Sequence, residues 1–213
     1  KMDTINKVKS ISIWIFIVPF VAINTCLILI TNFHEIFPNK EHIIHNTIPY
    51  IDGGASISRT ARVFPTYLIF KPAMFFTAYL LIRYWLYIKN IILRIHGEHK
   101  NLRKILIFGI GSAVCLVIHS IFLGIKFDYD LYKLFRRVIM LVFIIFEVVA
   151  QAYLVVTLYS IKNKLLNFIN LKFLKLKAIL VSILVFVMIV SIPIVSMPGN
   201  KHIKHALEWD FFL

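Results

Sequence analysis

Two carboxylic acids, an imidazole and a lysine interrupt or border long apolar runs, and the chemistry of this chain is expected to lie with them. Glu147 falls about nine residues into the run Val138–Ser160, roughly 14 Å along a helix rising 1.5 Å per residue. A carboxylate at such a depth in lipid is costly unless protonated or paired, so it marks a functional site by default. Gln151, one turn further on the same face, could share its proton, although a protonated glutamic acid can also serve only to join helices. His119 precedes the end of the run Ile105–Ile125 by six residues, and Glu208 lies about five residues into His202–Leu213. Their depths match within a turn, at roughly 7–9 Å below one surface. An imidazole beside a carboxylate can pass a proton or grip a polar headgroup, while a structural bond between helices is the plainer use. Lys71 enters from the same side, and Asp52 and Arg59 stand in the connection above. Lys71 and Arg59 suit a phosphate, the arginine in bidentate fashion.

That connection contains the most specific stretch of the sequence, Asn46-Thr47-Ile48-Pro49-Tyr50-Ile51-Asp52-Gly53-Gly54-Ala55-Ser56. Glycine reaches positive φ without steric cost, so Gly53 and Gly54 beside an aspartate predict a shaped turn. His42 and His45, with His34, Glu41, His202 and His205, gather potential metal ligands, yet no third ligand has diagnostic spacing. The expectation is a solvated loop with no metal and no cofactor. The sequence has no nucleophile elbow, phosphate loop or dinucleotide fingerprint. Cys26 and Cys115 lie inside apolar runs and read as small packing residues.

The elements that must position these groups are membrane helices. Of 213 residues, 60% are hydrophobic and 15% aromatic, more apolar surface than a soluble domain of this size can bury. An all-α polytopic bundle follows, a single transmembrane domain with spans at about 11–31, 67–87, 105–125, 138–160 and 178–196. A sixth begins at 203 and is cut short at 213, so the chain is expected to continue. Residues 32–63 form the longest connection. The net charge of +14 falls mostly between apolar runs, which reads as topology control beside anionic lipid and not as nucleic-acid binding. Thirteen Lys and Arg lie in the N-terminus and the second and fourth connections, against nine in the first, third and fifth when Lys204 at the entry to the sixth run is counted with the fifth. The positive-inside rule then places the N-terminus in the cytosol and the Gly-Gly loop on the lumenal or outer side. Gly109, Gly111, Ser112 and Ala113 form a small-residue patch suited to close helix approach.

Two motifs carry a resemblance. One is Pro49-Tyr50-Ile51 with the Gly53-Gly54 turn, Arg59, Phe64, Pro72 and Arg83-Tyr84; the other is Ala206-Leu207-Glu208-Trp209. With six spans and a long first lumenal loop, the chain resembles the family of damage-regulated autophagy modulators and the GPI-lipid remodelling factor acting after GPI attachment to proteins. The N-terminal region of the yeast cell-wall protein that places ceramide on GPI anchors belongs to the same family. The Gly-Gly turn, Arg59 and Pro72 look closer to the remodelling branch. The resemblance implies a factor required for reacylating lyso-GPI in Golgi or ER membranes, whose partners are membrane lipids, the anchor lipid and other membrane proteins. It leaves open whether the factor is itself a transferase. A non-enzymatic regulator of autophagy or membrane lipid organisation is the first alternative. A proton-coupled transporter using Glu147 and His119 is the second, and the repeats expected of transporters are missing.

Overall fold

The computed structural model describes residues 2–39, 43–44, 47–125, 130–165, 170–196, 199 and 201–212. All regular structure among them is helical. Five long helices, α1 (Met2–Asn32), α4 (Tyr67–His96), α5 (Leu102–Phe122), α6 (Asp130–Ser160) and α8 (Leu171–Ser196), are accompanied by four short ones. These are α2 (Pro49–Asp52), α3 (Ile57–Ala61), α7 (Lys162–Leu165) and α9 (Lys201–Phe212), with a single 3-10 turn at His34–Ile36. Each long helix packs on the next in the chain, α1 on α4, α4 on α5, α5 on α6 and α6 on α8.

Among the described residues, four helices contain segments long and apolar enough to cross a membrane: Thr4–Asn32, Leu102–Phe122, Leu134–Ser160 and Leu171–Ser191. This is an integral membrane protein. The other two expected spans correspond to α4 and α9, which differ from them in kind. At 30 residues α4 is about 45 Å long, and Lys71, Arg83 and Lys89 interrupt its apolar surface. The 12 residues of α9 include Lys201, Lys204, Glu208 and Asp210, and this helix packs on α2, not along the bundle.

The helices outrun the apolar stretches that announce them, because lysine and arginine are good helix formers whose stems cover apolar surface while their charges reach water. Arg83, expected near the end of a span, therefore sits well inside α4. It bonds the hydroxyls of Tyr79 and Tyr87, one turn to either side, and lies over both rings. Polar side chains inside the apolar runs turn back onto their own helix. Ser12 Oγ donates to Val8 O at 2.7 Å, Asn24 Nδ2 to Phe20 O at 2.8 Å and Thr31 Oγ1 to Leu27 O at 2.8 Å. In lipid, where water is absent, such bonds are what make these residues tolerable.

Two apolar cores stack along the bundle. One joins Ala22, Ile23 and Cys26 of α1 to Phe70, Met74 and Ala78 of α4, and to Ala113 and Leu116 of α5. Trp209 of α9 and Ile57 of α3 close it from one end, the loop end hereafter. The second core, around Trp85, Ile92, Ile105 and Leu154, fills the other half. The small-residue patch does what its composition predicts. A Cβ on Gly109 would overlap the indole of Trp85, and one on Gly111 would sit 2.8 Å from the Phe146 ring. Both cysteines are free; Cys26 is fully buried in the first core.

Candidate functional site

The connection after α1 folds into a compact cap. Pro49 starts α2 with φ already suited to a first helical turn, and Gly53 ends it at φ 59°, its N–H donating to Pro49 O at 3.1 Å. Ser56 then caps α3, its Oγ accepting from Arg59 N at 3.1 Å. Asp52 holds the turn from inside. Its carboxylate accepts from Thr47 Oγ1 at 2.7 Å, Ile48 N at 2.8 Å and Gly54 N at 2.8 Å. The Thr47 hydroxyl first, then the two backbone N–H groups, keep its pKa below the ordinary carboxylate value. With both oxygens so engaged, Asp52 is a turn residue.

The two glycines have different reasons. Gly53 needs the left-handed region, and it also lies where a Cβ would overlap the His202 carbonyl of α9. Gly54 has no positive φ; it is small because Thr47 presses on it. The expectation of unusual backbone therefore holds for Gly53 alone.

Helix α9 reads the cap through its main chain. His202 Nδ1 lies 3.1 Å from Asp52 O, His205 Nδ1 3.0 Å from Gly53 O, and Trp209 Nε1 2.8 Å from Ala55 O. A carbonyl only accepts, so both imidazoles carry hydrogen on Nδ1 in these contacts. Residues 202, 205 and 209 share one face of a helix. Trp209 is fully buried and its ring meets Tyr50 edge-on at 4.9 Å, while Tyr50 OH donates to Asn24 Oδ1 of α1 at 3.1 Å. Burial, opposed by that hydrogen bond, raises the Tyr50 pKa. His202 and His205 thus bind backbone; His42, His45 and Glu41 lie outside the described residues. Among the described residues no three His, Cys, Asp or Glu side chains gather as metal ligands.

Below the cap the charged groups converge. His119 is 4% exposed at the end of α5, and its Nδ1 is buried without a hydrogen-bond partner. Arg136, near the start of α6, acts electrostatically on His119 and on Glu208. Its Nε is also buried and unpartnered, and its guanidinium lies 6.0 Å from the Tyr132 ring centroid. The Glu208 carboxylate faces the first backbone N–H groups of α3, at Ser58 and Ile57. Arg62 belongs to the same group: burial first, then the like charges of Arg136 and Arg59, hold its pKa below the ordinary guanidinium value. Three arginines, one glutamate and one neutralisable imidazole thus meet at the loop end.

The fold places His119, Glu208 and Arg59 in this neighbourhood and adds Arg62 and Arg136. Lys71 is spent nearby, its Nζ donating to Ile121 O at 3.3 Å, one of the last carbonyls of α5. Glu147 is separate. It lies in mid-bundle, with Oε2 2.7 Å from Ser112 Oγ and Oε1 accepting from Gln151 Nε2 at 2.9 Å. Trp85 Nε1 faces the same carboxyl without closing a hydrogen bond. The pairing of Glu147 with Gln151 follows from their i, i+4 spacing; Ser112 enters only through the packing of α5 on α6.

No curated protein and no solved structure matches the chain. The family described as Frag1/DRAM/Sfk1/Cwh43P N-terminal domain matches residues 8–210, which takes in most of α1, the cap, the other four long helices and α9 through Glu208 and Trp209, and the chain belongs to that family.

Proposed function

We propose that this protein acts in remodelling the lipid of GPI anchors, in Golgi or ER membranes, with its N-terminus in the cytosol and the Gly-Gly cap on the lumenal side. Family membership supports the membrane-lipid setting, and the observation that carries the reading is the cluster beneath the cap. There the unpartnered His119 Nδ1 and Arg136 Nε are buried beside Glu208, with Arg62 and Arg59 close by. Crowded guanidinium groups favour an anion, and a planar guanidinium matches phosphate oxygens in pairs. Glu208 and His119 suit a sugar or glycerol hydroxyl next to that phosphate, the carboxylate accepting and the imidazole doing either. A headgroup held at the end of the bundle leaves its acyl chains along the lipid-facing helices, where an anchor is reacylated. Lys71 lends charge at the same level through the end of α5.

The test is complementation of a deletion strain, read by mass spectrometry of GPI-anchor lipids. Wild type restores the remodelled anchor. Arg136→Gln and Glu208→Gln leave lyso-GPI accumulating at normal expression, and Arg136→Lys restores part of the product because charge survives without the paired geometry. Unchanged anchor lipids on deletion, with altered autophagic flux instead, overturn the proposal in favour of a regulator.

A further inference from the structure

A second buried site takes no part in that reading. Ser112 Oγ lies 2.8 Å from Gly109 O on its own helix and 2.7 Å from Glu147 Oε2 on α6. A hydroxyl has one hydrogen, and a carbonyl can only accept. If Glu147 were ionised, both neighbours of Ser112 would be acceptors competing for one hydrogen. One of the two contacts would then set lone pair against lone pair. A proton on Oε2 resolves the conflict: the acid donates to Ser112 Oγ, and Ser112 donates to Gly109 O. The other carboxyl oxygen already has its donor in Gln151 Nε2.

We infer that Glu147, Ser112 and Gln151 form a proton-binding site in the core of the bundle, with Glu147 as the carrier and the proton as ligand.

The surroundings also provide for the ionised form, which makes the site reversible. Trp85 Nε1 on α4 is buried without a partner and faces the carboxyl. On loss of the proton, Ser112 turns its hydrogen from Gly109 to Oε2, and Trp85 becomes a third donor. The released Gly109 carbonyl keeps its place in the α5 backbone ladder. The charge acting on Glu147 is Lys177, reaching in from α8, whose Nζ donates to Tyr84 OH of α4 at 3.3 Å. From the helices packed on this point the facing groups are therefore Trp85 and Tyr84, Ser112, Gln151 and Lys177, and Lys177 is the counter-charge for the ion. The carboxyl therefore has donors for either state: Gln151 and the Ser112 relay with the proton bound, and Ser112, Gln151 and the waiting Trp85 Nε1 once it is lost.

Full-length protein in lipid nanodiscs tests this by labelling with a hydrophobic carbodiimide, located by peptide mass spectrometry. The reagent takes the proton of a buried carboxylic acid and adds its oxygen, so only protonated Glu147 reacts. Labelling is scanned from about pH 6 to about pH 10, a range that brackets values documented for buried carboxyls. The expected result is an adduct on Glu147 that declines at least about tenfold across the scan. Ser112→Ala, which removes the acceptor of the acid proton, moves the midpoint while the protein stays folded. The infrared carbonyl band of the protonated acid, identified by its loss in Glu147→Gln, follows the same curve independently of reagent access. A band that is absent throughout overturns the inference. One that persists unchanged across the scan also overturns it, since Glu147 would then be a fixed hydrogen-bond donor between helices.

Discussion

Substitution of Gly53 separates two demands that the structure places on one residue. Alanine at φ 59° costs about 1–2 kcal/mol for the left-handed backbone. Its Cβ would overlap the His202 carbonyl, so α9 must withdraw or the cap must open. Withdrawal removes the His202 and His205 bonds to Asp52 O and Gly53 O, at about 1 kcal/mol each. The docking of α9 should weaken by about 3–4 kcal/mol. Every 1.4 kcal/mol is tenfold in an equilibrium, so amide exchange in α9 and at the start of α3 should quicken by a few hundredfold. Hydrogen exchange of the protein in nanodiscs measures this directly. Gly53→Asn is the informative control, because asparagine tolerates the left-handed region but still carries a Cβ. It should recover part of the backbone cost and none of the collision. If Gly53→Asn exchanges like wild type, the close approach of α9 is wrong. If Gly53→Ala does too, the account of the cap fails altogether.

Trp209→Phe keeps the aromatic contact with Tyr50 but leaves the Ala55 carbonyl without its donor, so α9 exchange should quicken by the equivalent of about 1–3 kcal/mol. Gly109→Ala forces a Cβ into the Trp85 indole, and a thermal-unfolding series should show a loss of about 1–3 kcal/mol. Ala113, also in the α5 patch but already bearing a Cβ, supplies the comparison through Ala113→Gly. His99 accepts from Asn101 N through Nδ1 at 3.2 Å, with Nε2 3.0 Å from Ser160 Oγ, so it is neutral in the folded turn. Burial first, then the charges of His96 and Lys100, lower its pKa from 6.5. The unfolded turn then binds more protons between the two values. Stability present above about pH 6.5 is lost as the pH falls through that window, which Asn101 amide exchange reports.

What the sequence discloses depends on the range of the interaction. Uncharged runs of about twenty residues reveal spans because lipid tolerates little else, and Gly53 is legible because a left-handed turn is a local need. Gln151 with Glu147 is also local. Ser112, Trp85 and Lys177 reach the same carboxyl from three other helices, and only packing joins them. Arg136 shows the limit most clearly. It stands in a basic cluster with Lys133 and Arg137 whose evident use is to hold a helix end at the membrane surface. Nothing in its neighbours distinguishes it, yet folding turns it onto His119 and Glu208. The docking face of α9 did leave a trace. His202, His205 and Trp209 repeat at one-turn intervals in a helix that also carries Lys201, Lys204, Glu208 and Asp210, a pattern more telling of a partner surface than of a membrane span.

The cap and the charged cluster are mechanically one unit. The three α9 side chains bind carbonyls 52, 53 and 55, and the next groups in line, the N–H groups of Ile57 and Ser58, face Glu208. Glu208 is adjacent to Trp209, so the depth of one indole in the first core sets the position of the carboxylate. Main-chain recognition asks little of side chains in the cap; it asks that the backbone can approach, which Gly53 permits. The Gly-Gly stretch is therefore linked to the charged cluster through α9. A substitution there should alter the response of Arg136 and His119 to an anion by moving Glu208, and restoring α9 docking with a covalent tether between the cap and α9 should reverse the effect. A tether that restores docking but not the response would locate the role of the cap in direct contact with ligand instead.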